Sequence, residues 1–279
     1  MSSEDFKYAP GRQFKTAMNN PFKPLVLIPS YNTGRLLPET VSGALAHAVP
    51  HSVWVVIDGS TDGSERPLEP LREQAPNQLR VFRRERNGGK GTAVLHGLEP
   101  AIEAGFTHVL TMDADGQHPA DHIPEFFRLG ERFPDDLIMG NPVFGPDVPF
   151  IRLKGRKLTL WCTTLETPGA GLGDTMFGMR LYPLEPLRKA FRQTRFARGY
   201  DFDPEVAVRM VWMGHHPRQL SVPVRYPTRE EGGISHFNYL RDNIKLTFMH
   251  VRLIPELLLL RLIPYLKYRR AWTTDSKNP

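Results

Sequence analysis

The feature that most constrains the fold is a series of short apolar runs that alternates with segments of helical periodicity. The runs in the first half of the chain are residues 25–28, 53–57, 79–82, 108–112 and 137–139, and the periodic segments are 35–48, 91–104 and 120–133. Apolar runs unbroken by polar residues are typical of strands that are buried on both faces. The pattern therefore predicts an α/β fold with a mostly parallel sheet flanked by helices.

The second half of the chain is less regular, but it continues the same kind of pattern. It predicts helices at 151–165, 204–213 and 236–249, a strand at 219–224, and an antiparallel or edge strand at 177–181. The glycine-rich segment 169–173 separates two of these elements and predicts a loop.

The last apolar segment, residues 251–270, differs in character from the rest. Pro255, Glu256 and Arg261 interrupt it, so no window reaches the roughly 18 uncharged apolar residues that a spanning helix needs. We expect amphipathic helices with a basic edge at an anionic membrane surface; a core-packing or dimer helix is the alternative. The predicted organisation is a loose arm at 1–22, a main domain at 23–250 and a membrane-interface tail at 251–279.

The net charge and the cysteine content indicate which classes of binding partner and which cellular compartment to expect. The formal net charge of +6 favours anionic partners such as nucleotide phosphates or anionic lipid. Nucleic acid is not expected, because neither zinc-ligand spacing nor an RNA-binding aromatic signature is present. The single cysteine, Cys162, and the lack of an apolar segment in the first 20 residues predict a cytoplasmic protein.

Two carboxylates, Asp113 and Asp115, directly follow the run at 108–112. Ligands of open α/β sheets bind at the carboxyl ends of the strands. Mg²⁺ or Mn²⁺ suits two hard oxygen donors there, because phosphate oxygens of a substrate can complete the coordination shell. An acidic turn that caps the next helix is the alternative.

Polar or glycine-rich clusters also follow the earlier runs. Tyr31 could stack on a nucleobase or anchor a loop, and Asp58 could accept from a base or ribose or form an Asx turn. Residues 87–91 offer backbone amides and Lys90 to phosphate, although they lack the Walker spacing and a plain glycine-rich turn is the alternative. In chain order the clusters would supply a base reader, a phosphate cradle and metal ligands, which a nucleoside diphosphate needs.

Six sequence blocks carry a resemblance to a known family. They are Ile-Pro-Ser-Tyr-Asn at 28–32, Asp-Gly-Ser-Thr-Asp-Gly at 58–63, Asn-Gly-Gly-Lys-Gly at 87–91, Asp-Ala-Asp-Gly-Gln-His-Pro at 113–119, Phe-Gly-Met-Arg at 177–180 and Gly-Tyr-Asp-Phe-Asp-Pro-Glu at 199–205. Over residues 25–243 the chain resembles inverting glycosyltransferase family 2, which has the GT-A fold. It is most similar to the branch of polyprenyl-phosphate (dolichyl-phosphate) mannosyltransferases.

The resemblance implies a donor site for a UDP- or GDP-sugar with Mg²⁺ or Mn²⁺ as a Lewis acid. The implied placements are Pro29, Tyr31 and Asp58 around the nucleobase and ribose, Lys90 at the diphosphate, and Asp113, Asp115 and Gln117 at the metal. The acceptor would attack the anomeric carbon opposite the leaving group and so invert its configuration.

The acceptor side is implied less specifically. Asp201, Asp203 and Glu205 are the candidate catalytic acids, although Asp203 before Pro204 also has the pattern of a helix N-cap. A hydroxyl acceptor needs a general base, whereas a phosphate acceptor needs only positioning cations. The candidate phosphate ligands are Arg180, Arg225, Arg229 and His236, and residues 229–236 resemble the family's mobile loop over the donor.

Two positions depart from the family pattern and leave alternatives open. Ile57 stands where the family has an acid or amide before Asp58, and His236 follows Ser235 where a lysine is usual. The predicted function is a metal-dependent inverting glycosyltransferase with a lipid-linked or membrane-proximal acceptor, peripheral on the cytoplasmic face of the inner or plasma membrane. The alternatives are a catalytically lapsed nucleotide-sugar-binding or membrane-scaffold protein and a phosphatase of the haloacid dehalogenase type, in whose motif Gln117 would replace a threonine.

Overall fold

The computed structural model describes residues 21–145, 150–228, 230–233 and 236–275. Within these ranges one sheet contains seven strands. They are β1 (Pro24–Ser30), β2 (Ser52–Asp58), β3 (Leu79–Arg84), β4 (His108–Thr111), β5 (Leu137–Phe144), β6 (Arg180–Pro183) and β7 (Pro217–Val224). The sheet has the order β3-β2-β1-β4-β6-β5-β7.

The sheet is parallel except at β6, which runs antiparallel to both of its neighbours, β4 and β5. The predicted mostly parallel sheet is confirmed. The strand predicted at 177–181 as antiparallel or edge begins three residues later, at Arg180, and it is the antiparallel alternative, in the interior of the sheet. Strand β1 is longer than the apolar run at 25–28, because its ladder to β2 continues through Pro29 to Ser30.

Helices cover both faces of the sheet. They are α1 (Leu36–Ala48), α2 (Glu69–Gln74), α3 (Lys90–Glu103), α4 (Ile123–Arg132), α5 (Phe150–Glu166), α6 (Leu184–Arg192), α7 (Phe202–Trp212), α8 (Tyr239–Glu256) and α9 (Leu262–Asp275). Short 3-10 turns precede α2 and α4, and a π-helical turn, Leu257–Arg261, joins α8 to α9. Each predicted helix is present, and α2 and α6 are additions that the sequence pattern did not indicate.

The core lies in two layers, one on each face of the sheet. Along β1, Leu25 and Leu27 enter the layer beneath α3, α6 and α7, whereas Val26 and Ile28 enter the layer beneath α1 and α4. Successive side chains of a strand point to opposite faces. Burial on both faces is therefore the reason why this strand is apolar without interruption.

The C-terminal segment packs onto the domain rather than standing apart from it. Helix α8 runs through the predicted boundary at residue 250, and the hydroxyl of Tyr265, a buried residue of α9, donates to the Pro168 carbonyl at 2.8 Å. The indole of Trp272 donates to the Gly214 carbonyl at 3.1 Å. The core-packing alternative thus describes part of this tail. No helix in the described ranges is both long enough and apolar enough to cross a bilayer.

A buried ion-pair network fixes α8 against α7. The Glu205 carboxylate is fully buried and lies 2.9 Å from Arg209 of its own helix and 2.6 Å from Arg252 of α8. Arg209 also contacts Glu256 at 3.0 Å. Burial alone would raise the pKa of Glu205, but the two guanidinium groups hold it below its usual range. Both helices are therefore held in one register by charges that water does not screen.

Replacing Glu205 tests how much the network contributes to stability. We expect Glu205→Gln to lower the free energy of unfolding by about 3–5 kcal/mol, because it leaves two arginines without their buried carboxylate. The matched control is Glu69→Gln, which removes an exposed pair with Arg72 and should cost less than about 1 kcal/mol. Urea unfolding of the three proteins measures the difference; equal losses would contradict the structural role of Glu205.

Candidate active site

A cleft of about 870 Å³ opens at the carboxyl ends of β1, β2 and β4. It is lined by nine of the residues that the sequence singled out, which come from six separate segments of the chain. They are Pro29, Tyr31, Asp58, Lys90, Asp113, Asp115, Gln117, Asp203 and His236. The clusters that follow successive strands do meet in one place.

Lys90, the first residue of α3, bridges two carboxylates at the centre of the cleft. Its Nζ lies 2.6 Å from Oδ1 of Asp113 and 2.6 Å from Oδ2 of Asp203. Burial would lower the pKa of Lys90, but the two carboxylates raise it above its usual range. Burial would likewise raise the pKa of Asp113, and Lys90 instead lowers it. The site therefore keeps Asp113 ionised without bound substrate.

Asp115 lies in a different electrostatic setting from Asp113. Burial and the neighbouring Asp113 carboxylate raise the pKa of Asp115 to about 7. Its Oδ1 accepts from the Gln117 amide at 3.1 Å, and no cation of the described residues pairs with it. A divalent cation would offset this repulsion, so the donor set of Asp113, Asp115 and the Gln117 side chain fits Mg²⁺ or Mn²⁺. In the described ranges no three His, Cys, Asp or Glu side chains form a metal cage, so phosphate oxygens would have to complete the shell.

His118 is a residue of the site to which the sequence analysis assigned no role. Its Nδ1 accepts from the Asp113 backbone N–H at 2.9 Å, and its ring packs on Phe177 with centroids 4.5 Å apart. Burial lowers the pKa of His118 to about 4, so the ring is neutral and Nε2 carries the proton. That nitrogen lies 3.7 Å from Oδ2 of Asp113. His118 thus orients Asp113. The signal in the sequence for this role is that His118 follows Asp113 by five residues within the same turn.

Asp58 holds the phosphate-cradle turn in place. Its carboxylate contacts the Arg84 guanidinium and accepts from the amides of Gly88 and Gly89 at 3.0 and 2.8 Å. Gly89 has a φ of +89°, and a Cβ there would overlap the Arg198 carbonyl, so only glycine fits. The oxygens that were predicted to read the base or ribose are thus already bonded within the protein.

Two aromatic rings, those of Tyr31 and His236, also line the cleft. The rings of Tyr31 and His236 lie 5.4 Å apart, and Nε2 of His236 is 3.1 Å from the Asn32 carbonyl. This pair could stack on a planar base. Arg229 and Ser235 lie outside the described residues, and Arg225 pairs with Glu231 rather than lining the cleft.

Besides Arg225, three predicted site residues lie away from the cleft lining, namely Arg180, Asp201 and Glu205. Arg180 is fully buried and donates to the carbonyls of Phe177 at 2.8 Å and Asp203 at 2.5 Å, so it anchors the start of α7. The Asp201 carboxylate accepts from the amides of Ala197 and Gly199 and organises the turn before α7. Glu205 belongs to the ion-pair network with α8. Asp203 is the second residue of α7 and not its N-cap.

The other half of the cleft was not foreseen from the sequence. It is lined by residues of α5, α8 and the turn before α7, among them Arg156, Arg198, Tyr200, Arg241 and Lys245. Burial and the nearby Asp113 carboxylate raise the pKa of Tyr200 to about 12, so its phenol stays protonated. This second half is basic and partly aromatic.

Sequence comparisons identify the family and several relatives of this chain. The family model described as Glycosyl transferase family 2 matches residues 25–191. Polyprenol monophosphomannose synthase of Mycolicibacterium smegmatis is 31% identical over 75% of this chain and 78% of that protein. Undecaprenyl-phosphate mannosyltransferase of Micrococcus luteus is 30% identical over 75% of this chain and 85% of that protein.

Solved structures show the same fold. Glucosyl-3-phosphoglycerate synthase from Mycobacterium tuberculosis, in complex with Mn²⁺, UDP and glucosyl-3-phosphoglycerate, aligns with a TM-score of 0.56 at 18% identity, covering 85% of this chain and 79% of that one. S. aureus TarS 1-349 with UDP-GlcNAc also aligns at 0.56, with 16% identity over 90% of this chain and 73% of that one. The expected GT-A architecture is confirmed.

Gly178 offers a test of the Lys90 bridge. A Cβ at this position would overlap the Lys90 ammonium and the Asp113 carboxylate. We expect Gly178→Ala to lower the free energy of unfolding by about 1–3 kcal/mol, which is the usual cost of overpacking. Gly145→Ala is the control, because a Cβ there meets no atom within 4 Å. Chemical denaturation of both variants gives the answer, and a Gly178 variant as stable as the control would refute this geometry.

Proposed function

This chain belongs to glycosyl transferase family 2, and we propose that it transfers a sugar from a UDP- or GDP-sugar to a polyprenyl-phosphate-type lipid with inversion. The observation that carries the proposal is the convergence of Tyr31, Lys90 and the Asp113–Asp115 pair in one cleft, in the order that a base, a diphosphate and a metal require. The names of the two curated relatives, both of which concern polyprenyl-type phosphates, support the acceptor class.

The donor half of the cleft suits a sugar nucleotide. Pro29, Tyr31 and His236 line the cleft and would contact the base, and Lys90 and the 87–91 turn would contact the diphosphate. Mg²⁺ or Mn²⁺ held by Asp113 and Asp115 would act as a Lewis acid that neutralises the departing nucleoside diphosphate. Lys90 would share its charge between the protein carboxylates and the phosphates.

The acceptor chemistry follows from the state of Asp203. One of its oxygens is held by Lys90, and the other, Oδ1, is buried with no partner among the described residues. Because the ammonium occupies one oxygen and the other is buried, Asp203 is poorly placed to accept a proton from an acceptor hydroxyl. A phosphate acceptor is already anionic and needs no such base. Asp203 would therefore position Lys90, and the acceptor phosphate would attack without proton removal.

Metal and donor dependence test the proposal directly. We expect one UDP- or GDP-sugar to raise the melting temperature only with Mn²⁺ or Mg²⁺, and its labelled sugar to appear in polyprenyl phosphate. Asp115→Asn should reduce transfer by at least about a hundredfold, because a metal supplies several kcal/mol of charge stabilisation. The control is Asp121→Asn, whose exposed side chain contacts His122.

Two results would contradict parts of this proposal. Metal-dependent donor binding without transfer to any lipid phosphate would favour the lapsed, nucleotide-sugar-binding alternative. Transfer that survives Asp115→Asn at the control rate would remove Asp115 from the metal site.

We also propose that an apolar ridge beside the cleft contacts an anionic membrane. The α5–α8 ridge consists of exposed side chains on two packed helices: Leu158, Trp161 and Leu165 of α5, and Leu240, Ile244, Phe248 and Val251 of α8. Soluble proteins seldom expose contiguous apolar surface of this kind without a partner. Leu246 of α8 lines the cleft, so a lipid acceptor at the ridge would lie close to the donor.

The ridge, rather than the tail alone, should control vesicle binding. The double variant Ile244→Ser/Phe248→Ser should partition at least about tenfold less to phosphatidylglycerol-containing vesicles, because two apolar side chains would no longer enter the bilayer. The control is Val49→Ser/Val143→Ser, which removes comparably exposed side chains elsewhere. Truncation at residue 251 is less suitable, since it would remove the buried Leu253, Leu257 and Tyr265. Equal sedimentation of the two variants would exclude the ridge.

A further inference from the structure

The cations of the second half of the cleft differ in how they are bonded. Arg156 lies 2.5 Å from the Asp174 carboxylate, and Arg198 donates to the Phe196 carbonyl. Arg241 contacts Asp242 at 3.1 Å, although its side chain is 63% exposed. Lys245 is exposed, lines the cleft, and pairs with no carboxylate of the described residues. It is therefore the lining cation that is most available to an anionic ligand.

Lys245 lies beside the turn that carries Asp203 toward Lys90. Its Nζ is 3.5 Å from the position that a Cβ on Gly199 would take. Gly199 and Tyr200 line the cleft, and the Gly199 Cα is 3.1 Å from the position that a Cβ on Gly89 would take. The Tyr200 ring packs on Phe237 with centroids 5.3 Å apart. An anion held by Lys245 would thus lie beside the glycine turn that precedes Lys90.

Helix α8 presents two adjacent stripes at this wall. Arg241 and Lys245 are four residues apart and share the face toward the cleft. Leu240, Ile244 and Phe248 form the neighbouring stripe, which is the exposed part of the α5–α8 ridge. Successive helical residues are about 100° apart, so each cation is next to an apolar side chain. A molecule with an anionic head and a long apolar chain matches both stripes at once.

We propose that Lys245, assisted by Arg241, binds the phosphate of a long-chain monophosphate acceptor, while the ridge stripe of α8 binds the first units of its chain. The inference rests on the proposed function and adds the positioning residue that would select a phosphorylated acceptor over a free lipid alcohol. The same helix then binds the head and the chain, so the phosphate is held at the cleft while the chain lies along the ridge.

Acceptor and donor titrations of Lys245→Gln test this assignment. The probes are farnesyl phosphate, its uncharged alcohol farnesol and inorganic phosphate, with binding followed by thermal shift and transfer followed with labelled donor. We expect the variant to raise both the Kd and the KM for farnesyl phosphate about tenfold or more, as loss of a charge-assisted contact implies. Donor affinity and farnesol binding should not change. Lys189→Gln, an exposed lysine on α6 outside the cleft, is the control.

The outcomes separate the inference from the proposed function. An acceptor Kd that changes no more in Lys245→Gln than in Lys189→Gln would overturn the inference, and so would a loss confined to donor affinity. Inorganic phosphate that competes fully with farnesyl phosphate would overturn the contribution of the chain. If the wild-type protein transfers no sugar but still binds farnesyl phosphate through Lys245, the inference stands and the proposed function fails.

Discussion

The placement of one buried ammonium organises the candidate site. Lys90 joins the end of β4, through Asp113, to the start of α7, through Asp203, with both contacts at 2.6 Å. A buried charge is tolerated only when it is paired and hydrogen-bonded. Two carboxylates meet that condition, and in return the lysine lowers the pKa of Asp113, which desolvation would otherwise raise. The metal site and the position of α7 therefore depend on the same contact.

Helix α7 connects the Lys90 contact in the cleft to helix α8. Asp203 faces Lys90, and Glu205, two residues later, faces away and binds Arg252 of α8. Arg180 fixes the first turn of α7 by donating to the Asp203 carbonyl. Since the helix cannot shift without breaking one of these buried contacts, the exposed face of α8 and the centre of the cleft are held in a defined relation. We infer that a lipid at α8 would meet a site that is already positioned.

The two halves of the cleft were not equally predictable from the sequence. Tyr31, Lys90 and Asp113 directly follow strands or open a helix, so the strand pattern alone placed them at one edge of the sheet. Asp58 was placed correctly, but the sequence could not show that its oxygens hold the glycine turn. Lys245 lies on a helix face whose direction depends on the Glu205–Arg252 contact, between residues 47 positions apart. Contacts of that range leave no local periodic signal, and the same reason explains why Arg180 and Glu205 were assigned to the cleft instead of the core.

The distribution of charge also explains why a phosphate acceptor is chemically favourable here. On the donor side Lys90 pairs with two aspartates and Asp58 pairs with Arg84, which leaves Asp115 for the metal. Lys245 pairs with no carboxylate in the described part of the chain, and Asp203, the predicted catalytic acid that lines the cleft, is held by Lys90. A neutral hydroxyl acceptor would leave the lysine without a partner and would lack a base to accept its proton. An anionic acceptor pairs with Lys245 and has no proton to lose, so it needs no general base. A single negative charge on the substrate therefore suits both the unpaired lysine and the lack of a base.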